Sequence, residues 1–199
     1  MSATTISARD TSTLHRDAIL ALSNAVRAAN LATGPEEALA PLTTALPLLL
    51  GDRAAHLRPG GLKPGEHQFS VCGVFVLTPD GRENLLVAET GFPAEQHRLT
   101  IPADLAHPGW VVKHRRPLIL ANTDHDPEFR QILKTSRMGS ALYGPMMSGG
   151  QFHGQLVLAS QARDTYADVD LEILVAFAEA ATAVWVAHGG PEWLRSLRL

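Results

Sequence analysis

Near the start of the chain, Ile19, Leu22, Val26 and Ala29 recur at three- and four-residue spacing. One apolar stripe of this period predicts a helix over roughly residues 12–31, with Asp10, Thr11 and Ser12 available as N-caps. Thr33-Gly34-Pro35-Glu36-Glu37 stops it and starts a second helix, because proline suits the first turn and acids suit the positive end. Leu39, Leu42, Leu46 and Leu49 give that helix its buried face, and Pro47 is expected to fray its last turn. Residues 51–67 are rich in turn formers and carry no periodicity, which predicts a loop.

The period then changes. Phe69 to Leu77 is β-branched and aromatic, Thr78-Pro79-Asp80-Gly81-Arg82 is turn chemistry, and Asn84 to Glu89 returns. This predicts a hairpin. His107-Pro108-Gly109 is expected to open a third helix running to His114, followed by a short strand, Pro117 to Leu120. Asp126 as N-cap and Pro127 at the first position predict a short helix through Ile132 and Leu133. Gly139–Met147 and Phe152–Ser160 form a second hairpin across Ser148-Gly149-Gly150-Gln151. A long helix from about Asp168, with Leu171, Leu174, Phe177, Ala178, Ala181, Val184 and Trp185 on its apolar face, ends at Gly189-Gly190-Pro191. A short tail, Glu192 to Leu199, remains. The expected class is α+β: a central antiparallel sheet of five or six strands with helices on both faces.

Composition narrows what such a domain can do. With 199 residues, 45% of them hydrophobic, one self-sufficient core is within reach. Seventeen Lys+Arg against twenty Asp+Glu offer no phosphate-neutralising surface, so nucleic acid is not expected as a partner. The most apolar run, Ala38 to Leu50, is interrupted by Pro41 and Pro47 and is too short for a bilayer, so no membrane association is expected. Met1 to Asp10 shows no signal-peptide pattern, and a cytoplasmic location is expected. Cys72 is the only cysteine, which excludes an internal disulfide and a cysteine-rich zinc site. No metal ligand set is assigned, since the nine histidines include no His-Glu-x-x-His pair.

Five motifs in order resemble the GAF family of small-molecule sensor domains, a PAS-related fold. They are VFVLTPDGRENLLVAETG, HPGWVVKHRRPLILANTDHDPEF, MGSALYGPM, QFHGQLVL, and Tyr166-Ala167-Asp168 at the start of the last helix. The resemblance implies a domain over 69–188, preceded by a helical extension over 1–68 and followed by a tail over 189–199. It further implies ligand binding between one face of the sheet and a roof built from the third helix and the loops after it. Pairing of the end helices into a homodimer is also implied, and the two apolar stripes permit it. No second domain or kinase motif is recognised, so the expected readout is a separate sensor kinase or transcription regulator.

Branches of that family constrain the chemistry. The branch that reduces free methionine sulfoxide needs a nucleophilic and a resolving cysteine, and Cys72 has no partner in the chain. Phytochrome-type bilin attachment needs a cysteine that 124–139 lack, and the Asn-Lys signature of cyclic-nucleotide binders is absent. The chain is therefore expected not to be an enzyme, to hold no cofactor, and to bind an unknown small molecule, a small anion among the candidates. The expected ligand-binding residues are Gly109, Trp110 and Val111 at the opening of the third helix, whose free N–H groups would meet an anion. To these are added Asn122, Asp124 and Phe129 from the lid segment and Tyr143 from its strand. Two alternatives stay open: an enzyme using His and Asp residues of 107–126, and a ligand-free interaction module.

Overall fold

The structure, a computed structural model, describes residues 11–132 and 137–197. Six antiparallel strands form one sheet: β1 (Ser70–Leu77), β2 (Glu83–Thr90), β3 (Thr100–Pro102), β4 (Leu118–Leu120), β5 (Ser140–Ser148) and β6 (Gln151–Ser160). Their spatial order is β3-β2-β1-β6-β5-β4. The α+β class and the antiparallel sheet are as the periodicity predicts. Both hairpins form at their turn residues, with Cys72 opposite Thr90 in the first and Tyr143 opposite Val157 in the second.

Because side chains alternate along each strand, the sheet divides the core in two. Cys72, Val74, Val76, Leu142, Leu156 and Leu158 face the helices α1 (Thr11–Ala29), α2 (Pro35–Leu49), α4 (Asp168–Ala187) and α5 (Gly190–Ser196). Val71, Phe75, Ala141, Tyr143, Val157 and Ala159 face the other way, under α3 (Ala106–His114) and the segment that follows β4. Leu39, Leu42 and Leu46 of α2 and Leu174, Phe177 and Trp185 of α4 seal the first face. The terminal helix starts where Asp170 accepts from the backbone N–H of Ala167 and of Gly51, both at 3.0 Å. That carboxylate closes the helix end and anchors the loop after α2.

Four local expectations need correction. On α1 the buried stripe is Leu14, Ala18, Ala25 and Ala29, while Ile19 is 69% exposed and Leu22 and Val26 are half-buried. Small alanines let α1 lie close against its neighbours, so the larger apolar residues turn outward. The tail is not loose: Gly190 starts a helix that buries Leu194 and sets Trp193 edge-on to Trp185 at 5.8 Å. Helix α3 begins at Ala106, two residues before Pro108. No helix forms over 126–132, and Leu133 lies outside the described residues. There the Asp126 carboxylate caps Glu128 N–H at 2.9 Å, a turn that competes with helix, and Phe129 is drawn under the roof.

Candidate functional site

Between the sheet and the lid segment lies a cavity of about 40 Å³. Phe75, Tyr143 and Val157 form its sheet wall, while Phe129 and Ile132 close it from the lid, with Arg130 at the lining. The volume suits water-sized contents and falls well short of the ~300 Å³ common for small-molecule sites. The lid carries no helix or strand over residues 126–132. Two turn hydrogen bonds, Asp126 N to Thr123 O and Phe129 N to Asp126 O, both at 3.3 Å, and several side chains hold it instead. Gln96 Nε2 donates to Ile132 O at 3.2 Å, Arg130 Nη1 to Pro127 O at 2.9 Å, and the Arg137 guanidinium lies 4.6 Å from the Phe129 ring centre.

Of the seven expected ligand residues, only Phe129 and Tyr143 line this cavity. Tyr143 is buried on the roof side, and burial first, then the negative charge of Asp126, push its phenol above the ordinary range. Val111 is buried in the same apolar layer without lining the space. Gly109 and Trp110 line a separate surface groove with Asp104 and Lys113, and Trp110 stacks on His114 at 4.5 Å. The free N–H expected of Gly109 is taken. Because the helix starts early, Gly109 N donates to Leu105 O at 2.9 Å and closes the first turn. A Cβ on Gly109 would stand 2.3 Å from the Asp104 carbonyl carbon, so close backbone packing explains the glycine. Asn122 caps a single turn by accepting from Asp124 N at 3.0 Å.

Asp124 belongs to an ion cluster rather than to the cavity. Arg163, almost wholly buried, donates from Nε to Asp124 at 3.0 Å and grips both oxygens of Glu66. Lys63 Nζ reaches Asp124 at 2.7 Å. These bonds tie the 51–67 loop to the lid.

Within the 107–126 segment that the sequence offered for His and Asp chemistry, the structure brings one particular pair together. His107 Nε2 lies 2.9 Å from Asp126 Oδ2, and the imidazole packs against Phe129 with ring centres 5.9 Å apart. The two residues are nineteen positions apart, and their types alone, a histidine and an aspartate in that segment, do not reveal that they pair. Cys72 lies on the opposite face of the sheet, buried, and burial pushes its thiol far above the usual range.

A six-stranded antiparallel sheet with the end helices on one face and a roofed cavity on the other defines an α+β sandwich architecture. The sequence pattern of the GAF domain family matches residues 34–184, and the chain belongs to that family. Similar solved structures include the GAF domain of a phosphoenolpyruvate-protein phosphotransferase from Coxiella burnetii. It is 19% identical at a TM-score of 0.69, with 89% of this chain and 97% of that one covered. The corresponding Acinetobacter domain is 17% identical at 0.68, covering 87% and 94%. A free methionine-R-sulfoxide reductase from Neisseria meningitidis, solved with its substrate, is 20% identical at 0.69, covering 96% and 99%. Among curated proteins none matches the sequence.

These likenesses correct one expectation. The chain was expected not to be an enzyme, yet its fold is shared with reductases from Neisseria and from Staphylococcus aureus. The same fold carries enzymes, so it gives no ground for that expectation. No described helix is long and apolar enough to cross a membrane.

Proposed function

We propose that this chain is a cytoplasmic ligand-binding GAF domain. In this reading it binds a small molecule in the cavity beneath Phe129 and passes the event to a separate sensor kinase or transcription regulator. One observation carries the reading: an apolar space roofed by a lid that belongs to no helix or strand and is held mainly by side-chain contacts. A segment without ladder hydrogen bonds opens at low free-energy cost, which is how a nearly closed cavity admits a ligand. Homodimerisation through α1 and α4 is part of the proposal. Ile19, Leu22, Ile173 and Phe177 line an apolar groove there, and Ile19 is largely exposed.

Thermal shift against small anions, amino acids, nucleotides and haem tests it. A hundredfold excess over the dissociation constant stabilises by about 2.7 kcal/mol. Absence of any shift across these classes, with nothing co-purifying in native mass spectrometry, would overturn the reading.

The His107–Asp126 pair favours an enzyme as the second reading, since an imidazole fixed by a carboxylate is a familiar acid–base device. Free methionine-R-sulfoxide with dithiothreitol is the direct assay. Methionine formed by the wild-type chain and by Cys72→Ser would assign the chemistry to groups other than the thiol. No methionine from either would end the reading for that substrate.

A further inference from the structure

Three polar residues line the cavity: Arg130, Gln131 and Tyr143. Arg130 and Gln131 are exposed residues of the lid, and Arg130 Nη1 already donates to Pro127 O and Phe129 O. Tyr143 is the buried one. It is 3% exposed and projects from β5 to the roof side of the sheet, with Phe75, Val157 and Phe129 in the same lining. Its hydroxyl makes no hydrogen bond with any described residue. A phenol can donate one hydrogen bond and accept others, and an apolar layer that leaves all of them unmade loses stability that a bound partner restores. Burial and the charge of Asp126 both oppose ionisation, so the group offered to the cavity is a neutral O–H.

We propose that the Tyr143 hydroxyl is the polar anchor of this cavity and donates to the oxygen acceptor of a small, neutral, otherwise apolar molecule, an assignment that rests on the ligand-binding reading of the cavity. Volume sets the size: about 40 Å³ holds more than one water and suits a molecule of a few heavy atoms. The walls set the charge. Apart from the two lid residues they are aliphatic, Met and aromatic side chains, which would strip the water from an ion of either sign. An anion would also meet the negative field of Asp126, which already acts on this hydroxyl. The hydroxyl sets the preference for an acceptor: a hydrocarbon of the same shape fills the space but leaves the O–H unpaired.

Isobutene, acetone and acetate share one planar, branched skeleton and differ in how many of its ends are oxygen. Titrated into the purified chain and followed by NMR and thermal shift, they test this. Acetone gives up more hydration than isobutene, so the informative quantity is the ratio of their affinities. That ratio, acetone over isobutene, should fall about tenfold from wild type to Tyr143→Phe. Without ligand, Tyr143→Phe should melt no lower than the wild type, because the hydroxyl it removes has no partner. An unchanged ratio keeps the cavity and overturns the anchor, and so does a Tyr143→Phe chain that melts lower. Acetate binding more tightly than acetone overturns it in favour of an anion site. If none of the three binds, the ligand-binding reading itself fails and the anchor with it. Should Tyr143→Phe not fold, the wild-type hydroxyl reports directly, because the chain has two tyrosines and a carbon-13 label at Cζ resolves them. A Tyr143 signal that moves further with acetone than with isobutene supports the anchor, and one that answers both alike, or neither, overturns it.

Discussion

Arg163 Nε donates to Asp124 Oδ2 at 3.0 Å from a side chain that is only 1% exposed. The same guanidinium grips Glu66, so one buried cation on the β6–α4 connection holds the lid and the 51–67 loop together. Arg137 extends the cluster, with Nη2 on Thr123 O at 2.7 Å and its guanidinium over Phe129. The wall of the cavity is thereby coupled to the segment that leads into α4.

Replacing this cation leaves two carboxylates facing each other, with Lys63 at 2.7 Å and Arg137 at 3.7 Å from Asp124 as the remaining cations. Arg163→Met should destabilise by about 3 kcal/mol, the scale for removing one partner of a buried ion pair. Urea denaturation reads it, and a loss below about 1 kcal/mol would mean that the cluster does not hold the fold.

The cluster also sets an acid limit. Burial works against the charge of Asp124, but hydrogen bonds from Arg163 and Lys63 win and hold its pKa at about 2. Glu66 is lowered for the same reason: burial opposes it, and the Arg163 hydrogen bond outweighs burial. A depressed carboxylate stabilises the fold fully above its unfolded pKa of about 4 and loses that stabilisation as pH falls through about 2. Stability should therefore be level from neutral pH to about 5 and fall on further acidification. Asp124→Asn should flatten that part of the curve, and an unchanged acid limb would contradict the assignment.

Trp110 and Phe129 separate the two places where a ligand was expected. Any compound that stabilises the wild type should still do so in Trp110→Ala, because Trp110 lines a different groove. Phe129→Ala removes a lid wall and should cost about 3 kcal/mol while changing the affinity of the same compound. Loss of the response in folded Trp110→Ala would move the site to the start of α3.

Ile19 tests the dimer. Ile19→Glu places a charge on the exposed stripe of α1 beside Leu22 and Ile173. Light scattering should show a dimer for the wild type and a monomer for the variant, with the thermal stability of the monomer little changed. A monomeric wild type would remove the proposed interface.

Gly190 tests the closing helix. A Cβ there would stand 2.1 Å from the Trp185 ring, too close to be absorbed without moving one of them. Gly190→Ala should cost about 1–3 kcal/mol and weaken the near-ultraviolet circular dichroism of the Trp185–Trp193 pair. An unaltered spectrum and stability would show that α5 docks without this contact.

Local chemistry determined most of the elements. Turn residues at Asp80-Gly81 and Gly149-Gly150 fixed two hairpins, Pro35 started α2, and period-two alternation placed Tyr143 and Ala141 on the opposite face from Leu142. These depend on residues that are neighbours in the chain, so spacing alone reveals them. Tertiary structure decided the rest. Which side of α1 is buried depended on what α2 and α4 offered it, and whether Gly109 N–H was free depended on where α3 began. The pairing of His107 with Asp126 depended on a roof and a lid meeting across a sheet. A hydrogen bond between residues nineteen apart, or an ion pair thirty-nine apart, leaves no periodic trace, because the sequence records residue types while only folding sets their distance.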